Sequence, residues 1–120
     1  MSVHDPRATL RQIQEAADRL QTICAGKTLE QLLADWLTIA ALERFIEIIG
    51  EGVKRLPMEL RDRYPNVPWK EIAGTRDRLS HGYDDVDYQV LWNAVQKDLP
   101  VLLATVEQML KDLGNAPPGD

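Results

Sequence analysis

In TLEQLLADWLTIAALERFIEIIGEGVKRL, residues 28–56, the apolar side chains Leu32, Leu33, Trp36, Ile39, Ala40, Leu42, Phe45, Ile46 and Ile49 recur at three- and four-residue steps. That is the period of an α-helix and not the two-residue alternation of a strand. Thr28 and Gln31 read as a capping box, in which each side chain satisfies an amide of the other residue, so the helix opens there. The pattern continues towards Leu56, and Pro57 stops it by lacking an amide hydrogen. We expect one long helix over this stretch. It is apolar on more than one face around Trp36 to Ile49, as suits a helix that touches both its own core and a partner.

The same period extends in both directions. Upstream, Asp5-Pro6 is a helix start, Asp as N-cap and Pro in the first turn. Leu10, Ile13, Ala16, Ala17, Leu20 and Ile23 then form one stripe that ends near Gly26. Downstream, Met58 to Tyr64 suits a short helix closed by Pro65 and Pro68, and a further helix begins at Trp69. After Asp84-Asp85 a last long helix carries Val90, Leu91, Val95, Leu99, Leu102, Leu103, Val106, Met109 and Leu110, and Pro100 should kink it. No run alternates at strand length, and no internal repeat is present. The expectation is an all-α, up-and-down bundle of four to five helices.

The 120 residues suffice for one domain, expected over residues 1–114, with 115–120 as a Pro/Gly tail that has nothing to bury. The single cysteine, Cys24, excludes an internal disulfide and falls in an amphipathic run, so it reads as a small buried hydrophobe. No apolar run approaches the ~20 residues that cross a bilayer, and the N-terminus lacks a secretory pattern. The expected setting is cytoplasmic, with no membrane contact. The net charge of −5 argues against a protein that coats nucleic acid, but the charge is uneven. Residues 50–81 carry seven Lys/Arg against five Asp/Glu, whereas residues 82–120 carry two against seven. Only the segment ending near residue 81 is net positive, and it could contact phosphates.

That segment ends in Arg76-Asp77-Arg78-Leu79-Ser80-His81-Gly82-Tyr83, which holds one of the chain's two histidines. The spacing places it on the last two turns of the helix that starts near Trp69, with Gly82 helping to end it. Asp77 and His81 are one turn apart on one face, whereas Arg76 and His81 differ by about 140° around the axis. Metal ligation has little support, because His4 and His81 are distant and no H-x-x-x-H or C-x-x-C occurs. No phosphate-binding glycine loop or nucleophile elbow is present either. What remains suits RNA cleavage without metal or cofactor, since RNA carries its own nucleophile in the 2′-hydroxyl. His81 could move protons near neutrality. Arg76 could hold phosphate and the charge that develops on it. Asp77 could fix the imidazole tautomer. On spacing alone other uses stay open: His81 as a cap that complements the helix dipole, Arg76 in an ion pair, and Tyr83 as an aromatic at the core's edge. Trp36, Trp69 and Trp92 read as core or interface anchors.

Arg76, four intervening residues, His81, one residue and Tyr83 together resemble the R-x4-H-x-Y motif of the HEPN ribonucleases, in particular the HepT-like toxins. The resemblance extends over Ala41 to Glu51, Pro65 to Trp69 and Val90 to Pro100, most of residues 30 to 110, in the family's order. It implies a helical homodimer in which two Arg/His sets face each other across a cleft. It also implies Arg76 and His81 as the catalytic residues of an RNA endonuclease. In the HepT-like branch a minimal nucleotidyltransferase antitoxin transfers AMP to the motif tyrosine, which corresponds here to Tyr83. The second reading is a non-catalytic helical subunit that recruits substrate for such a nucleotidyltransferase.

Overall fold

The computed structural model describes the backbone of residues 5–81 and 87–114, and the side chains of residues 5–75 and 87–114. Six helices occupy the described residues: α1 (Pro6–Cys24), α2 (Leu29–Leu33), α3 (Trp36–Arg55), α4 (Met58–Asp62), α5 (Trp69–His81) and α6 (Tyr88–Leu113).

Most of the helix starts are written in the sequence. The Asp5 carboxylate accepts the Arg7 amide at 3.0 Å, and Pro6 occupies the first turn, so α1 opens where its cap predicts. Past Ala25, Gly26 takes a positive φ of 69°, a conformation that costs glycine little and ends the run. Thr28 and Gln31 exchange both capping-box bonds, at 3.1 and 2.9 Å. The Asp87 carboxylate caps α6 by accepting from Gln89 and Val90, and α6 continues through Pro100.

The expected single helix from Thr28 to Leu56 is two helices. Asp35 adopts an extended backbone and becomes a second N-cap, its Oδ1 accepting from the Leu37 amide at 3.1 Å and its Oδ2 from the Thr38 hydroxyl at 2.9 Å. An aspartate offers this local alternative to helix wherever three free amides can follow it. The short α4 is the helix expected from Met58, so it is the break at Asp35 that raises the total in the described residues to six, above the four to five expected.

The four long helices run up and down. Arg55, the last residue of α3, donates to Gln12 of α1 at 3.1 Å, and Arg44 and Arg19 line the same groove further along, so α1 and α3 are antiparallel. Arg7 reaches the Leu113 carbonyl at 3.3 Å while Cys24 lies beside Leu99 and Pro100, so α1 and α6 are antiparallel too. Tyr88 at the start of α6 meets Glu43 in the first half of α3, which makes that diagonal pair parallel. α5 completes the bundle. Just ahead of its first turn Asn66 bonds Thr105 in the second half of α6 at 2.9 Å. Its last turns therefore point to the end where α3 and α6 begin.

The core is continuous through all four. Leu10, Ile13, Leu20, Val53, Leu56, Leu102, Val106 and Met109 are essentially inaccessible. Gly52 of α3 sits against α1 so closely that a Cβ there would lie 2.6 Å from Ile13 Cγ1. Cys24 is buried as expected, and burial raises its thiol pKa. Trp69 is buried and its indole N–H is shared between the Arg61 and Tyr64 carbonyls at 3.1 and 3.0 Å. Trp92 packs against the core from a half-buried position, whereas Trp36 is 76% exposed. Among the described residues no helix is long and apolar enough to cross a membrane.

Candidate active site

α5 carries the residues singled out by their spacing, and its inner side is fixed by what packs there. Ile72 and Thr75 line a cavity of about 40 Å³ at the bundle centre, with Leu20 from α1, Ile46 and Ile49 from α3, and Val95, Asp98, Leu99 and Leu102 from α6. Trp69 and Ile72 are buried, and Ala73 packs partly against the core. Measured from Ile72 at about 100° per residue, Thr75, Trp69, position 76 and Ala73 fall within about 100° of the inward direction. Lys70, Gly74 and positions 77 and 81 fall about 140° to 200° away, directly opposite the core. Lys70 is exposed, and a Cβ built on Gly74 would meet nothing within 4 Å.

The backbone of Arg76, Asp77 and His81 is therefore helical and at the expected end of α5. Positions 77 and 81 share the outward strip, and position 76 sits on the inner flank. The side chains of residues 76–81 lie outside the described residues, as does Tyr83 altogether, so no contact among Arg76, Asp77, His81 and Tyr83 is described.

The surroundings of this end are described. Trp36 and Leu37 open α3 there with 76% and 62% of their surface exposed, and Leu33 of α2 and Val90 of α6 are exposed beside the same helix starts. Asp98 reaches the central cavity from α6 beside Thr75, and it makes no hydrogen bond or ion pair among the described residues. Burial raises its carboxyl pKa; Lys97 opposes the shift and the nearby Glu71 carboxylate adds to it. No role for Asp98 follows from the sequence alone, because an acid at an apolar-periodic position of α6 looks like any solvated residue until α5 is seen to cover it.

The two other tyrosines are both committed to carboxylates. The Tyr64 hydroxyl donates to Asp112, and burial together with that bond pushes its pKa up to about 12. The Tyr88 hydroxyl donates to Glu43 at 3.2 Å, and its pKa is raised mainly by burial and then by that carboxylate.

The net-positive segment does not form one patch. Lys54 and Arg55 end α3, Arg61 and Arg63 lie on and just past α4, and these elements occupy the end of the bundle opposite positions 76–81. Arg55 is held by Gln12, and Arg63 lies 3.5 Å from Glu59. α5 is 13 residues long, roughly 18 Å between its first and last Cα, so charges adjacent in sequence are separated by the length of the helix.

Comparison with known proteins adds a second line of information. A family model described as "Ribonuclease HepT-like" matches residues 13–109. The chain is 40% identical over 106 residues to "Putative RNase TTE0752" of Caldanaerobacter subterraneus subsp. tengcongensis, covering 88% of this chain and 95% of that protein. It is 34% identical over 113 residues to "Putative RNase MJ1216" of Methanocaldococcus jannaschii, covering 94% and 93%. It is 37% identical over 102 residues to "Probable ribonuclease HepT" of Thermococcus cleftensis, covering 85% and 93%. No solved structure matches.

Proposed function

The chain belongs to the HepT-like ribonuclease family, and from that premise we propose that it is the toxin of a toxin–antitoxin pair, a cytoplasmic endoribonuclease that works without a metal ion. The observation that carries this reading is the Arg76, His81, Tyr83 spacing in the sequence, with Arg76 and His81 on the last turns of α5, inside the matched residues 13–109.

The chemistry needs only what this end of the helix supplies. His81 takes the proton from an RNA 2′-hydroxyl, whose oxygen attacks the adjacent phosphorus. The P–O5′ bond breaks, a 2′,3′-cyclic phosphate forms, and the leaving 5′-oxygen takes up a proton. Arg76 holds the non-bridging oxygens with a guanidinium that stays charged, most strongly as their charge grows in the transition state. Asp77, one turn from His81, orients the imidazole.

Arg76 on the inner flank and His81 on the outer strip, about 140° apart, are brought to one phosphate by pairing two chains. A homodimer that covers part of the Trp36 to Ile49 stretch supplies the cleft, and the exposure of Trp36 and Leu37 at this end of the bundle supports it. The expected interface is roughly 1,600 Å² in total. A monomer mass by light scattering at high micromolar concentration would remove this part of the reading.

A nucleotidyltransferase antitoxin silences the enzyme by attaching AMP to Tyr83, placing a phosphate charge and a nucleoside two residues from the histidine. The carboxylate partners of Tyr64 and Tyr88 favour Tyr83 as the acceptor among the three phenols. Intact-mass spectrometry after co-expression should show AMP-sized steps on the wild type and none on Tyr83→Phe.

Cleavage of single-stranded RNA tests the whole. It should persist in EDTA, leave cyclic phosphate ends, vanish on 2′-O-methyl RNA and fall by about 10² or more in His81→Ala. Activity lost in EDTA and restored by magnesium would overturn the metal-free mechanism.

A further inference from the structure

We propose that the homodimer is built on α3 paired with its own copy, antiparallel about a two-fold axis beside Ala40 and Ala41, with Leu37 of each chain seated on Phe45 and Ile48 of the other. The inference rests on the homodimer reading above and names the surface that makes it.

The outer side of α3 follows from what its inner side buries. Leu42, Ile46, Ile49 and Val53 are buried. Counted at about 100° per residue, Leu37, Ala40, Arg44, Ile48 and Glu51 lie within about 50° of the opposite direction, with Ala41 beside them. Leu37 and the preceding Trp36 are largely exposed, and Ala40 is exposed too. Further along the helix, α3 and α1 form a groove of about 410 Å³, lined by the half-buried Phe45 and Ile48 together with Arg19, Arg44 and Arg55.

One helix therefore carries an exposed apolar pair and a recess with apolar lining, on either side of two alanines. A two-fold contact needs that pattern, because it sets each feature of one chain against the other feature of its twin. Leu37 and Phe45 each lie four residues, about 6 Å, from position 41, so a two-fold at that point places them opposite each other. Alanines at the crossing let the helix axes approach to about 8 Å. A second copy fits this surface better than RNA does, since Leu33, Trp36 and Leu37 offer no cation to a phosphate. The axis also lies towards the start of α3, the end to which the last turns of α5 point. It thus brings the two α5 ends to one side of the dimer.

Light scattering and cross-linking test this together. The wild type should have the mass of a dimer. Leu37→Asp should weaken the dimer at least tenfold, as expected for a central apolar contact, with its helical circular dichroism kept. Val101→Asp, at an exposed site on α6, should leave the dimer intact. Facing Cα atoms at so close a crossing fall within the ~4.4–6.8 Å that a disulfide spans. Mild oxidation should therefore join Ala40→Cys or Ala41→Cys to its twin and leave Val101→Cys single, while Cys24 is buried and does not compete. The cysteine variants change little volume and carry the test where Leu37→Asp fails to fold. A dimer that survives Leu37→Asp, with neither α3 cysteine cross-linked, would overturn this surface and leave the homodimer reading standing. A monomeric wild type would overturn both.

Discussion

Gly52 and Gly74 are both glycines inside helices, and they mark opposite kinds of region. At Gly52 the α1–α3 contact is so close that a methyl group would overlap Ile13, itself completely buried, at 2.6 Å. At Gly74, half-buried on the outer side of α5, the same methyl group would meet nothing within 4 Å among the described residues. One glycine is required by the packing of two helices; at the other no packed neighbour among the described residues requires it. The contrast separates residues that hold the bundle together from residues that it displays.

The largest effect should come from the packed side. Ile13→Ala empties space beneath Gly52 in a core with no exposure and should cost about 2–5 kcal/mol. Urea denaturation at neutral pH reads this as a lower midpoint at unchanged slope. A loss well under 1 kcal/mol would mean that α1 and α3 relax together, and Gly52 would no longer mark a rigid contact.

Gly52→Ala comes next. Overpacking costs about 1–3 kcal/mol, against a gain of about 1 kcal/mol in helix propensity, for a net loss of up to about 2 kcal/mol. The Cβ would meet Ile13 Cγ1, near the root of that side chain, so a change of rotamer tip does not relieve it. Ile13→Ala removes the obstructing carbon, so the double variant should lose clearly less than the sum of the singles. Additive losses would show that the clash is not with Ile13.

Gly74→Ala should go the other way and raise stability by about 0.5–1 kcal/mol, or a few degrees in melting temperature. This variant sharpens the comparison most, because one substitution at two helical glycines then has opposite signs. Destabilisation at position 74 would mean that the strip is packed in the assembled protein.

How much of this could be read beforehand follows the same division. Caps and stripes act within a few residues, so Asp5-Pro6, the Thr28/Gln31 box and the apolar periods of α1, α3 and α6 were legible. The break at Asp35 was not, because an N-cap aspartate and a mid-helix aspartate look alike until the backbone commits. Gly52 was hidden because its cause is a side chain 39 positions away, and Asp98 because α5 covers it from outside its own helix. The positive segment 50–81 misled for a related reason: neighbours in sequence became opposite ends of α5 in space. Of the site, the helical placement of Arg76, Asp77 and His81 was legible.

The smallest effect belongs to Asp98, a displayed-type residue turned inward. Its carboxylate sits half-buried beside Thr75 in a cavity otherwise lined by apolar side chains, with no bond among the described residues. Burial raises its folded-state pKa above 3.8; Lys97 offsets part of that and Glu71 adds to it. A carboxyl whose pKa is higher folded than unfolded binds its proton more tightly in the native state. The ionised form is therefore a penalty on folding, in force above the folded pKa and removed as pH falls through that value towards 3.8. Asp98→Asn keeps the shape and drops the charge, so it should be slightly more stable than wild type at pH 7, by less than the Gly74→Ala gain. The advantage should shrink as the melts are repeated at successively lower pH. A variant less stable at pH 7, with the deficit closing in acid, would reverse the sign of the argument. It would show that the carboxylate is held by a cation, and would move Asp98 from tolerated residue to anchor of the helix that carries Arg76 and His81.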